Sequence, residues 1–212
     1  MATHPRFPQR GEPRAREGDG KAAALQGGGC ASAAPSIELF DTLPRMRKPA
    51  KETFLENYDR EHATTMRVLR AYPEDQLDLK PSAKSNSARD IAWIFVLERG
   101  LGTKVWHDEF AKGVPSGTPP KPPEKWSDLL AVLEKSHQEF RDLVAAASNE
   151  DLDQEVHFLT APKTMGAISR LEWVWFLLHD QIHHRGQFSV YLRMAGGRVP
   201  SIYGPTADEP WI

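Results

Sequence analysis

Cysteine is almost missing from this chain: Cys30 stands alone among 212 residues, so no disulfide closes within it and its stability rests on packing. Also missing is any run of about 18 apolar residues, the length a membrane-crossing helix needs. Basic charge is not in excess either. The 27 Lys and Arg face 29 Asp and Glu, for a formal net charge of -2, and no basic face or stripe accompanies them. That balance argues against a nucleic-acid partner. Large apolar residues are nearly absent from Met1 to about Leu43, where Gly, Ala, Pro and Arg dominate until Ile37, Leu39 and Phe40. Such a segment cannot bury enough surface to order itself. It lacks the continuous apolar centre of a secretory signal, and its acids argue against an organelle transit peptide. The expected organisation is a disordered tail over residues 1–45, then one domain of ordinary size over residues 46–212, with Met46 as an alternative start and the cytoplasm as the default compartment. There is no internal repeat.

What is present reads as helix. Phe54, Tyr58, Thr65, Met66 and Leu69 recur at helical spacing and predict a helix from about Ala50 to Ala71, stopped by Tyr72-Pro73. Ser87, with Asp90 three residues on, resembles a capping box and opens a second helix running to about Phe110. A proline-rich connection, Lys112 to Lys125, is long enough to cross a helix bundle. Trp126, Leu129, Leu130, Leu133, Phe140 and Val144 mark a third helix, capped by Ser127 and ending near Ala147. Asn149 to Met165 shows little periodicity, although EVHFLT suits a short strand. The fourth helix starts between Met165 and Ser169 and stops at Gly196-Gly197. The remaining RVPSIYGPTADEPWI is expected to lie back across the bundle, anchored by Tyr203 and Trp211. Four helices with one long crossing connection predict an all-α fold, a four-helix bundle.

The chemistry concentrates in LEWVWFLLHDQIHHRGQFSVYLRMA, Leu171 to Ala195. At about 100° per residue, Gln181, Arg185, Ser189 and Arg193 fall on one side of a helix and Phe176, His183, Gln187 and Met194 on the other, so the histidines are expected to point inward. His179 and His183 stack one turn apart, as two ligands of one ion must; so do Asp180 and His184. Imidazoles and carboxylates are the usual ligands of zinc and its first-row neighbours, and bundle cores are a recurrent place to assemble them. On the second helix Glu98 falls on the apolar stripe of Ile91, Ile94, Phe95, Leu101 and Val105, where an unpaired carboxylate is costly. It needs a proton or a cation, and an arginine and a metal ion serve equally. His62 and His137 also lie on apolar stripes, but neither has a second ligand one turn away, and both read as core histidines bonded to a neighbour. His157 is given no role.

The run HDQIHHRGQFSVYLRMAGGRVPSIYGP closely resembles the last helix and tail of the DinB-like, YfiT-related superfamily, bacterial four-helix proteins treated as metal-dependent enzymes. PEDQLDLKPSAKSNSARDIAW and the stretch from Trp126 onward are also similar, so the resemblance covers roughly Arg47 to the C-terminus. It implies a four-helix fold with three ligands, often all histidine, round one divalent ion: one on the second helix and an i, i+4 pair on the last. Relatives include thiol-dependent transferases and isomerases. Here the second-helix position aligns with Ile94, which cannot bind a metal, and Glu98 one turn further is the expected replacement. Counting back from Arg185-Gly186 allows His179 with His183 or Asp180 with His184; the all-histidine pair is preferred, because Gly186 on its side leaves space for a helix or ligand. The resemblance thus implies a metal-dependent hydrolase or thiol transferase on a small molecule. Its ion would be zinc or nickel, joined in the transferase reading by a low-molecular-weight thiol. The rival is a bundle that has lost its metal and serves as a dimerising or ligand-binding scaffold. A homodimer is expected, with neither nucleic acid nor membrane as partner.

Overall fold

The computed structural model describes residues 48–212, so the tail expected over residues 1–45 lies outside the described residues. The helices are α1 (Ala50–Arg70), α2 (Ala88–Trp106), α3 (Trp126–Ala146), the short α4 (Asn149–Asp153) and α5 (Arg170–Met194). An antiparallel hairpin of β1 (Glu155–Ala161) and β2 (Thr164–Ser169) lies between α4 and α5.

Local chemistry sets most of these boundaries. Full capping boxes open α2 (Ser87 with Asp90), α4 (Ser148 with Asp151) and α5 (Ser169 with Glu172). Gly196 ends α5 at φ 78. Two expectations shift. Lys125, not Ser127, occupies the N-cap of α3, and it makes no side-chain cap bond. And α2 stops at Trp106 rather than Phe110, because Asp108 turns to φ 54 and its carboxylate accepts the His157 backbone N–H at 2.8 Å, tying the turn to β1.

Packing runs round the bundle as α1 with α5, α5 with α2, α2 with α3 and α3 with α1, so α1 lies diagonal to α2. Tyr72 after α1 meets Trp126 opening α3 and Phe188 late in α5, and the Tyr191 hydroxyl donates to the Asn86 carbonyl just before α2. Hence α1 and α5 end where α2 and α3 begin. The α2–α3 connection must therefore return the length of the bundle, as its proline content suggested. No described helix is long and apolar enough to cross a membrane.

Two apolar clusters fill the ends. One gathers Leu69, Ile91, Phe95, Leu129, Phe188 and Leu192, the other Phe54, Val105, Phe140, Val144, Trp173 and Leu177. Between them lies a layer in which all four long helices bury polar groups: Glu61, Glu98, Arg99, His137, Gln181 and Arg185. Groups of this kind stay buried only when paired, bonded or neutral. The functional question is which of them lacks such an answer.

Candidate metal centre

Most of the layer is satisfied internally. Arg185, 1% exposed, pairs with Glu61 at 2.8 Å and donates to the Glu61 carbonyl at 3.1 Å. The Tyr203 hydroxyl donates to the Glu61 carboxylate at 2.6 Å. Burial would raise the Glu61 carboxyl, but the bonds from Tyr203 and Arg185 outweigh it and hold the group below its usual range. Arg99 donates to the Phe95 carbonyl at 2.6 Å and faces His62 Nδ1 at 3.3 Å. His62 and His137 stack with ring centroids 3.7 Å apart, and His137 Nε2 bonds Asp59 at 3.2 Å. Burial first, then neighbouring positive charge, pushes both imidazoles down to about 3, so each is neutral in the core. That is the core-histidine arrangement expected of them.

Among the described residues, Arg99 and His137 each leave one nitrogen and Gln181 its amide nitrogen without a partner, but Glu98 leaves both oxygens of a carboxyl group. It is 5% exposed, yet neither carboxylate oxygen has a hydrogen-bond donor among the described residues. The arginine beside it in sequence is turned to Phe95 and His62, so the expected ion-pair alternative does not form. Facing it from α5 are Asp180 and His184, and one donor atom from each of the three lies within 4.8 Å of the others. His184 Nε2 is 3.3 Å from a Glu98 oxygen and 3.7 Å from an Asp180 oxygen. Burial, then repulsion from Asp180, pushes the Glu98 carboxyl up to about 9 against the opposing pull of Arg99. Two carboxyl groups converge here with an imidazole nitrogen; in the ion-free bundle Glu98 takes up a proton at neutral pH, and a divalent cation would replace that proton.

The pair preferred from sequence is not the one brought to Glu98. His179 and His183 are exposed on the outer side of α5, with His179 5.9 Å from Trp175 ring to ring and His183 Nε2 2.7 Å from the Gln187 amide nitrogen. The expected inward face is in fact outward: Phe176 is 49% and Met194 53% exposed, while Gln181 and Arg185 are buried. The reason is pairing. Glu61 on α1 supplies a charge partner for Arg185, which turns that side of α5 inward and swings Asp180 and His184 toward α2. Glu61 itself was missed, although it lies three residues after Tyr58 and four before Thr65, the same stripe argument that singled out Glu98. Trp211 also departs from expectation: it is 64% exposed and bonds only the tail's own Ser201. Tyr203 anchors the tail through its hydroxyl.

The three donors open on a cavity of about 830 Å³ between the outer face of α2 and the returning connection. Its wall carries Ile94, Leu97, Leu101, Phe110 and Val132, and residues 115–121 roof it. The roof is tied to α2, since the Trp93 indole donates to the Pro120 carbonyl at 2.7 Å and Arg89 to the Pro123 carbonyl at 3.0 Å. A largely apolar recess with a few converging polar groups is the usual form of a small-molecule site.

Relatives share this framework. YrdA of Bacillus subtilis is 26% identical over 160 residues, covering 74% of this chain and 89% of its own. A DinB-like protein of Bacillus cereus superposes with a TM-score of 0.58 at 21% identity, over 72% of this chain and 97% of that one. YfiT of Bacillus subtilis, described as a probable metal-dependent hydrolase with an unusual four-helix bundle topology, gives 0.54 at 14% identity, over 73% and 93%. The sequence model of the DinB family matches residues 46–211, the bundle and its tail together, and the chain belongs to that family.

Proposed function

We propose that the protein is a metal-dependent hydrolase of an apolar small molecule, with Glu98, Asp180 and His184 as the ligands of one divalent ion. The observation that carries this reading is Glu98: a buried carboxylate with both oxygens unpartnered, converging with two further donors at the wall of a cavity. The description of YfiT as a probable metal-dependent hydrolase supports the same reaction class.

An ion held by three protein groups keeps a position open and supplies Lewis acidity, lowering the pKa of water and polarising a carbonyl. The chain's own residues do the rest. Glu98 and Asp180 offset the ion's charge, His184 presents Nε2 to it, and the apolar wall with its tethered roof excludes bulk water from the bound molecule. Two oxygen donors with one nitrogen suit zinc and extend the choice to manganese, whereas nickel is better served by imidazole ligands. Hydrolysis is preferred to thiol transfer because it needs no second cofactor. A small molecule in the cavity is the partner we assign.

A second reading follows from Ile94, which lines the cavity one turn before Glu98 where the family resemblance expects a ligand. If Glu98 does not replace the ligand lost there, two donors remain of the expected three, and the bundle would serve as a metal-free binding scaffold. A panel of aryl and alkyl esters, amides and lactones, offered to protein loaded with zinc or manganese, separates the two. Hydrolysis that chelator abolishes and that falls at least about 100-fold in Asp180→Ala is the expected result. A panel bound but left intact under every metal would establish the scaffold.

A further inference from the structure

One histidine of the pair left outside the candidate centre, His183, has a place in the same geometry. His184 Nδ1 lies 3.3 Å from Gln187 Oε1, three residues along α5, while Gln187 Nε2 lies 2.7 Å from His183 Nε2. An amide has one accepting and one donating end. If its nitrogen donates to His183, its oxygen is left to accept from His184 Nδ1–H. That bond puts the ring proton of a neutral His184 on Nδ1 and leaves the Nε2 lone pair facing Glu98 and Asp180, the side on which the three donors converge. We propose that Gln187 is a positioning residue, held by His183, which fixes the tautomer and ring orientation of His184 for metal binding. The inference rests on the metal reading above. It gives the HDQIHHRGQ run a single logic: Asp180 and His184 bind, and Gln187 and His183 orient.

Partners of this kind raise the basicity of a ligating imidazole and set its angle, and losing one typically weakens metal binding about 10–100-fold. Gln187 is exposed and packs no core, so its removal leaves the apo bundle intact. The test is zinc titration by calorimetry on the full chain and four variants: Gln187→Leu, Gln187→Glu, His183→Ala and His184→Ala. We expect Gln187→Leu to lose about 10–100-fold in zinc affinity with an unchanged apo melting temperature. Gln187→Glu keeps wild-type affinity or better, because its carboxylate accepts the same proton. His183→Ala loses less than Gln187→Leu. In the zinc-loaded wild type, long-range proton–nitrogen NMR of His184 shows Nδ1 carrying the proton. The proposal is overturned if Gln187→Leu binds zinc as the wild type does while His184→Ala does not, and also if Gln187→Glu fails as badly as Gln187→Leu. A wild type that takes up no zinc, manganese or nickel overturns the metal reading itself, and this inference with it.

Discussion

At the scale of single residues, the central fact is a carboxylate without a counterpart. Burial of Glu61 is offset by Arg185 and Tyr203, and His62 and His137 avoid the cost by staying neutral. Glu98 has no donor among the described residues, and with its carboxyl pushed up to about 9 an ion-free bundle must load it with a proton, which costs stability at neutral pH. Glu98→Gln keeps the shape and removes the need to take up that proton. It should therefore raise apo stability, by on the order of 1–3 kcal/mol, while weakening metal binding; melting curves of both proteins in chelator check the first half. A lower apo melting temperature in the Glu98→Gln variant would show that a bond to the carboxylate had been lost instead. The stacked histidines give a pH signature of opposite origin. Their folded-state pKa near 3 lies below the unfolded value near 6.5, so the unfolded chain takes up protons first as pH falls. Stability present above about pH 6.5 is then lost on acidification, at up to about 1.4 kcal/mol per pH unit for each ring. Across the window from about pH 6.5 to about 5 the raised Glu98 carboxyl works the other way and offsets part of this loss, and His62→Phe should flatten the remaining fall in melting temperature. An unchanged slope in that variant would mean the ring is protonated in the fold.

At the scale of elements, start signals were legible where they are short-range. The Ser87–Asp90 box and the Gly196 stop depend on neighbours within a few residues, and both stand as read. The rotation of α5 was not legible, because large apolar residues occupy its outer side too and what turns it is Glu61, over a hundred residues away in sequence. For the same reason either i, i+4 pair was open from sequence, and only contact with α2 separates them. The hairpin was half legible: β1 has the apolar, β-branched character of a strand, whereas TMGAIS acquires its strand from pairing with β1. The C-terminal part of α2 offers a sharp packing test. A Cβ on Gly102 would lie 2.7 Å from Leu177 Cδ1 and 2.9 Å from a Phe140 ring carbon, both buried side chains. Gly102→Val should therefore cost about 1–3 kcal/mol through overpacking, read as a lower midpoint in urea, even though valine is no worse a helix former than glycine. A midpoint at or above that of wild type would show that α2 and α5 can separate at that level.

At the scale of the whole molecule, the bundle places a polar layer between two apolar clusters and brings the long α2–α3 return across the face of α2 that carries Glu98. The four long helices, the crossing connection and the candidate role of Glu98 could be argued from sequence; the short α4 and the order of helices round the bundle could not, the latter because it depends on which faces are left to pack. Everything functional turns on where an ion binds. Crystals of the protein soaked in zinc and measured at the zinc absorption edge give that position directly. A centre built on Glu98 should give one anomalous peak per chain at about 2.0–2.2 Å from Glu98, Asp180 and His184 Nε2. A peak on His179 and His183, or none between α2 and α5, would contradict it.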